Sequence, residues 1–410
     1  MKNKFLAEMN SRGYLSQCTD FDKLQAISDK KSISAYIGFD CTAKSLHVGS
    51  LLQIMILKMM QKYGHRPIVL LGGGTTLIGD PSGKDSTRKI LEKKEIDNNI
   101  KSIKKAFNKI LDTSNKKTKP IFVDNAKWLT KLNYIKFLRD IGSHFTINKM
   151  LTFESVKLRL EREQSLSYME FNYMILQAYD FLELNQKAKC ELQIGGSDQW
   201  GNIVNGVELI KRHSDREVFG LTTPLITSSS GAKMGKTAEG AIWLDKNFLS
   251  AYDYWQFWRN TDDRDVIRFL KFFTEVDLDK IEILKNKNIN QLKILLANKT
   301  TQMLHGKKES MNAEKIAKET FSENSSGSNL PSFKIQKSTL DNKMNIIDLI
   351  ILSGLENSKS EVRRLINGNA IKIDNEIVKD QNFQINQGLL KNNFIKLSIG
   401  KKRHLKIEIN

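Results

Sequence analysis

Between residues 34 and 74 the sequence alternates in a way that leaves few folds open. A short apolar run, Ser34 to Asp40 (SAYIGFD), is followed by apolar residues at helical spacing from Gly49 to Lys62. A second apolar run, Arg66 to Leu71 (RPIVLL), then ends in Gly72-Gly73-Gly74. This order predicts strand, helix, strand. A crossover helix of that length makes the two strands parallel and the connection right-handed, so the expected fold is a doubly wound α/β domain with a parallel sheet. In such a sheet ligands lie at the carboxyl ends of the strands. The segments there are FDCTAKSLHVGS and GGGTTLIGDPSGK, both polar and glycine-bearing.

The chain has 410 residues, enough for two or three domains. From Ala251 to Thr320 the pattern turns helical, with a helix ending at Gly306, and residues 322 to 332 (SENSSGSNLPS) have the composition of a tether. Beyond it, Ser358-Lys359-Ser360-Glu361 is a capping box that opens a short helix stopped by Gly368. AIKIDNEIV then alternates around an Asp374-Asn375 turn, and FIKLSIGKKRHLKIEI reads as a last hairpin. The expected divisions are 1–224, 225–321, a linker at 322–344, and a small α+β domain at 345–410.

Composition narrows the function classes. The longest apolar stretches are far shorter than a membrane span, and Glu8 interrupts the N-terminal segment before a signal-peptide core can form, so a cytoplasmic protein is expected. Cys18, Cys41 and Cys190 form no CxxC pair, and the six histidines show no ligand spacing, so neither disulfides nor a protein-held metal is expected. A net charge of +19 suggests a polyanionic partner.

Several segments are placed to carry chemistry. GGGTTLIGDPSGKD is neither a P-loop nor a GxGxxG element, and a structural turn would explain its glycines; even so, Lys84 and Arg88 just beyond Asp80 are placed to neutralise phosphates. A lone histidine is usually structural, but His47 stands at a helix start beside Gly49, with Thr42 nearby, where backbone N–H groups favour an anion. Tyr173, Gln177 and Asp180 fall at i, i+4 and i+7 of an otherwise apolar helix, a stripe that faces either water or a pocket; its poverty in charge favours the pocket. GGSDQWGN puts Asp198 and Gln199 at another strand end. Lys233 and Lys236 lie in a Gly/Ser-rich loop, which alone reads as surface. In the tail, Arg363, Arg364, Lys401, Lys402 and Arg403 either face a phosphate backbone or form a solvated basic face.

Taken together these segments resemble the bacterial tyrosyl-tRNA synthetases of the class I aminoacyl-tRNA synthetases, over essentially the whole chain. YIGFDCTAKSLHVGS is similar to the first-strand motif with its HIGH element, GDPSGK and LQAYDF to tyrosine-pocket segments, GGSDQWGN to the ribose and substrate segment, and KMGKT to the KMSKS loop. SKSEVRRLINGNAIKIDNEIV is similar to a small RNA-binding module also found in a ribosomal protein.

The resemblance implies a Rossmann-like catalytic domain, an α-helical anticodon-side domain and an RNA-binding tail. It also implies L-tyrosine, ATP with Mg2+ and tRNA(Tyr) as partners, and a homodimer. By the same resemblance Thr42 and His47 meet the departing phosphates, with Lys84, Arg88, Lys233 and Lys236 closing over them. Asp40, Gly49, Ser50, Gly196 and Asp198 adjoin the nucleotide, Asp198 at its ribose. Asp80, Tyr173 and Gln177 hold the α-ammonium, Gln199 stands near the carboxylate, and Tyr36 with Asp180 reads the phenol hydroxyl. One position departs: Ser50 replaces the second His of HIGH, a shorter donor on the ribose side. A tryptophan-specific relative would lack the Tyr36/Asp180 pair, and a non-catalytic RNA-binding relative would lack the loops.

Overall fold

The computed structural model describes residues 4–80, 91–229, 231, 234–237, 240–321, 332–336, 344–386, 389, 394–400 and 403–409. Two compact units emerge, 1–310 and 311–410.

The first unit is built on strands β1 (Gln17–Cys18), β2 (Ser34–Phe39), β3 (Arg66–Leu71), β4 (Ile121–Asp124), β5 (Cys190–Gly196) and β6 (Phe219–Thr223). They lie in the order β1-β6-β5-β2-β3-β4. β2 pairs in parallel with β3 and β5, β3 with β4 and β5 with β6, whereas β1 runs antiparallel on β6. The chain therefore winds outward from β2 through β3 to β4, then restarts on the other side of β2 with β5. Strand order reverses between β2 and β5, and a crevice opens there at the carboxyl ends.

Local sequence explains the elements. β3 buries five successive residues after Arg66, the continuous apolar run of a strand covered on both faces. The Leu51–Lys62 helix buries eight of its twelve residues, as a crossover helix pressed on a sheet must. The long Tyr168–Ala188 helix starts on a complete capping box, Ser167 with Glu170, and stops where Lys189 turns left-handed at φ 51°. Its apolar side joins Tyr36, Ile68 and Leu70 of the sheet in one core with Phe181 and Leu184.

The helices from Ala251 to His305 belong to the same unit. The N-terminal Phe5–Arg12 helix reaches into them: buried Arg12 donates to the carbonyls of Lys271, Thr274 and Val276 at 2.9, 3.0 and 3.1 Å, and Tyr14 Oη donates to that of Phe272 at 2.7 Å. Between β6 and these helices, β7 (Lys236–Thr237) and β8 (Gly240–Ala241) pair as a small antiparallel ladder.

The second unit holds β9 (Ser332–Ile335), β10 (Ile371–Ile373), β11 (Glu376–Ile377), β12 (Phe394–Ile399) and β13 (Arg403–Ile409), in the order β11-β10-β12-β13-β9. The expected Asp374-Asn375 turn has φ of 46° and 73° at its two residues, the geometry of a tight hairpin between β10 and β11. The linker expected at 322–344 needs correction, because β9 lies inside it and pairs in parallel with β13. Ile335 joins the core of this unit and Phe333 packs on it, so the segment has an apolar face to bury.

Candidate active site

A cavity of about 190 Å3 occupies the crevice between β2 and β5. Nine residues singled out from the sequence line it together: Tyr36 and Asp40 from β2 and its end, Asp80 beyond β3, and Tyr173, Gln177 and Asp180 from one face of the Tyr168–Ala188 helix. Gly196, Asp198 and Gln199, where β5 passes into the Trp200–Ser214 helix, complete the set. The i, i+4, i+7 stripe therefore faces a pocket.

Among the lining residues Asp180 is 1% exposed, and both its oxygens are engaged: Trp128 Nε1 donates to Oδ1 at 2.7 Å and Asn125 Nδ2 donates to Oδ2 at 2.8 Å. Burial pushes its carboxyl up to about 7, against the pull of those two donors. Beside it Tyr36 is buried, its ring 5.4 Å from that of Phe181, and its hydroxyl has no hydrogen-bond partner. Burial pushes that phenol well above its ordinary range. A buried donor without a partner, next to a carboxylate with capacity to accept one more bond, suits a ligand hydroxyl.

A second part of the lining is polar. Gln199 Nε2 donates to Asp80 Oδ2 at 2.8 Å, and Asn202 Nδ2 donates to Gln177 Oε1 and Gln199 Oε1 at 3.1 and 3.2 Å. Tyr173 Oη donates to Asp40 Oδ1 at 3.4 Å. Two carboxylates and two amides in this wall, with Asn202 bonded to both amides, favour a cationic group.

The glycine run is required by close approach. A Cβ on Gly73 would stand 2.2 Å from Asp124 Oδ1, so β3 and β4 can end side by side only if residue 73 has none.

Thr42, His47, Gly49 and Ser50 do not line this cavity. They lie on the segment that leads from β2 into the next helix, with Thr42 exposed. His47 caps the 3-10 turn Val48–Ser50: its Nδ1 accepts the Gly49 N–H at 3.0 Å, which leaves the proton of a neutral ring on Nε2. The loop sequence KMGKT meets this turn. Gly235, at φ 94°, lies so close that a Cβ there would be 2.6 Å from His47 Nδ1 and 2.7 Å from Gly49 N. The Val48 N–H donates to the Ile242 carbonyl and the Leu244 N–H to that of Leu46, both at 2.9 Å, which ties the two segments together.

Lys84, Arg88, Lys233, Lys401 and Lys402 lie outside the described residues, and of Lys236 only the backbone, in β7, is described. Arg363 and Arg364 are exposed on the Lys359–Asn367 helix, where Arg364 pairs with Glu361 at 2.8 Å. Arg403 donates to the Leu355 carbonyl and to Glu356 at 2.9 and 3.0 Å.

Sequence reasoning missed Asn125, Trp128 and Asn202. Asn202 stood inside the GGSDQWGN segment, but the first two follow β4 in DNAKWL, which carries no local signal of contact with residue 180. Asn125 also accepts the Gly74 N–H at 2.7 Å, knitting the glycine run to the site.

Comparison with known proteins places the chain in a family. The family "tRNA synthetases class I (W and Y)" matches residues 28–322, and "Tyrosine--tRNA ligase SYY-like C-terminal domain" matches 323–407. The chain is 66% identical over 407 residues to a tyrosine--tRNA ligase of Pelagibacter ubique (strain HTCC1062), covering 99% of this chain and 100% of that one. It is 51% identical over 410 residues to a tyrosine--tRNA ligase of Rickettsia massiliae (strain Mtu5), again covering 99% and 100%. A C-terminally truncated Aspergillus nidulans mitochondrial tyrosyl-tRNA synthetase superposes with a TM-score of 0.70 at 29% identity, covering 77% of this chain and 94% of that one. The chain belongs to the class I tRNA synthetases (W and Y), and within them to the tyrosine--tRNA ligases.

Proposed function

We propose that the β2–β5 crevice is where this chain carries out its family's reaction, the ATP-dependent activation of L-tyrosine and its transfer to tRNA(Tyr). The observation that carries this placement is the buried Tyr36/Asp180 pair lining the cavity. A tyrosine phenol there donates to Asp180 and accepts from Tyr36. Its α-ammonium lies toward Asp80, Tyr173 and Gln177, and its carboxylate near Gln199. Held so, a carboxylate oxygen attacks the α-phosphorus of ATP, and the bond to pyrophosphate breaks. The terminal ribose hydroxyl of the tRNA then attacks the tyrosyl carbonyl and AMP leaves. No covalent bond to the enzyme forms, so rate enhancement comes from positioning and from donors aimed at developing charge.

In this reading His47 and Thr42 meet the phosphates from the turn after β2, with Lys84, Arg88, Lys233 and Lys236 supplying cations, and Asp198 takes the ribose near Asp40, Gly49, Ser50 and Gly196. Mg2+ enters with ATP as part of the substrate, since the phosphates are themselves good oxygen ligands for it. The second unit holds tRNA through Arg363, Arg364, Lys401, Lys402 and Arg403. The enzyme acts as a homodimer in the cytoplasm; support for the dimer comes from the segment 134–168, which exposes Tyr134, Ile135, Ile147 and Tyr168 at 59 to 71%. Among the described residues no helix is long and apolar enough to cross a membrane.

Tyrosine-dependent exchange of pyrophosphate into ATP, run beside tryptophan and phenylalanine, tests the site. Exchange with tyrosine alone is expected; equal exchange with phenylalanine would remove Tyr36 and Asp180 from recognition. Light scattering tests the dimer, and a monomer that remains active would reject it.

A further inference from the structure

The chain that carries Lys233 and Lys236 leaves β6 and returns into β7, and its outgoing limb is held from the helical side by two residues to which that reading gives no role. Asp265 closes the 3-10 turn Asp263–Asp265 and is the N-cap of the Val266–Phe273 helix, yet its side chain makes no cap bond to that helix. An N-cap carboxylate ordinarily satisfies its own helix's first N–H groups. Here Asp265, 2% exposed, turns to the loop instead. Its Oδ2 accepts the Ser229 N–H at 2.7 Å, and its Oδ1 accepts Arg268 Nη2 at 2.7 Å. The same Arg268 nitrogen donates to the Thr227 carbonyl. The pair therefore grips a C=O and an N–H two residues apart on one strand of loop.

What lies under that limb makes the grip consequential. A cavity of about 520 Å3 adjoins it beside those bonds, lined by Ser228, Ser229, Met234, Phe257, Asp265 and Phe269 among others. Across that space the Asp265 and Arg268 bonds reach the limb from the helical segment, so they help to fix its place. The returning limb is tied to the outgoing one and to the His47 turn: the Met234 N–H donates to the Ile226 carbonyl at 2.9 Å, and Gly235 sits against His47 and Gly49.

We propose that Asp265 and Arg268 are positioning residues for tyrosine activation, a clasp from the helical segment that sets the base of the lysine-bearing loop relative to the His47 turn. The proposal rests on the functional reading that the loop lysines meet the phosphates of ATP. Geometry of this kind is exacting, because a displacement near 1 Å from a remote change costs about 10²-fold in rate.

The test uses the full-length chain. Asp265→Asn breaks the ion pair, and Arg268→Lys keeps the charge but loses the planar fork. Single-turnover formation of tyrosyl-adenylate is expected to slow about 10- to 10²-fold in each, with the tyrosine Kd unchanged. Combined with Lys236→Ala, the Asp265→Asn loss is expected to shrink to about twofold or less, since groups acting as one unit are not additive. An unchanged rate, or losses that multiply fully with Lys236→Ala, overturns the proposal. Should Asp265→Asn fail to fold, Arg268→Lys takes its place in the same cycle, and the same two results support or overturn the clasp. Pyrophosphate exchange by the unaltered chain is measured first: its absence overturns the functional reading and the clasp together, whereas its presence leaves the variants to decide the clasp alone.

Discussion

The indole of Trp128 donates to Asp180 across 52 residues of sequence, at 2.7 Å, and is one of the two donors that hold this buried carboxylate. The contact sets the orientation of the group that meets a substrate hydroxyl, and it opposes the effect of burial on that group's charge.

Replacing Trp128 with Phe removes the donor and keeps most of the ring. A hydrogen bond to a charged group contributes about 1.5–3 kcal/mol, so tyrosine binding by Trp128→Phe is expected to weaken by roughly 10- to 10²-fold. Phenylalanine binding should not change. Equilibrium dialysis with both amino acids checks this, and equal weakening of the two would mean that Trp128 only fills space.

Asp180 also predicts a pH dependence. A phenol donates to the ionised carboxylate, so tyrosine affinity is expected to fall as pH drops through about 7. Stability runs the other way. The folded carboxyl keeps its proton to about 7 while the unfolded one releases it in the ordinary carboxylate range, so between those limits the native state binds more protons and stability falls as pH rises. Asp180→Asn should flatten both profiles. Denaturant midpoints and tyrosine Kd at pH 5.5 to 8.5, about 1.5 units either side of the shifted value, decide the matter.

His47→Ala is expected to slow tyrosyl-adenylate formation by about 10² to 10³, the usual effect of losing one preorganised donor to developing charge. Loss of its cap on the Gly49 N–H should lower stability by about 1 kcal/mol, with tyrosine affinity nearly unchanged. Single-turnover kinetics within threefold of the unaltered chain would take His47 out of the mechanism.

Ending the chain at Gly327, ahead of β9, removes the whole second sheet without leaving an unpaired strand of it. Activation is expected to persist and tRNA charging to fall sharply. Each lost phosphate contact should reduce the slope of log K against log salt by about 0.9 on duplex. Charging assays at two salt concentrations distinguish this from a tail with no role in RNA binding, for which the slope would not move.

Much of the site was legible in the sequence because its parts sit at strand ends or on one helix face. Tyr173, Gln177 and Asp180 needed only the 3.6-residue period to be placed together, and Asp198 and Gln199 needed only the apolar run of β5 before them. The hairpin at Asp374-Asn375 and the capping box at Ser358 were equally local, since each depends on residues within a few positions.

What the sequence by itself determined was therefore periodic and local: the parallel β2–helix–β3 unit, the polar segments at its carboxyl ends, and the small hairpin-rich tail. Only the tertiary structure decided who meets whom across long separations. Trp128 and Asn125 reach Asp180, Arg12 reaches carbonyls some 260 positions away, Asp265 turns from its own helix to Ser229, and β9 leaves the expected linker for the edge of β13. The physical reason is that a residue's immediate neighbours fix its backbone and the face it presents. Its partner on that face is set by strand order, and here the order reverses between β2 and β5, bringing together segments that no local pattern relates.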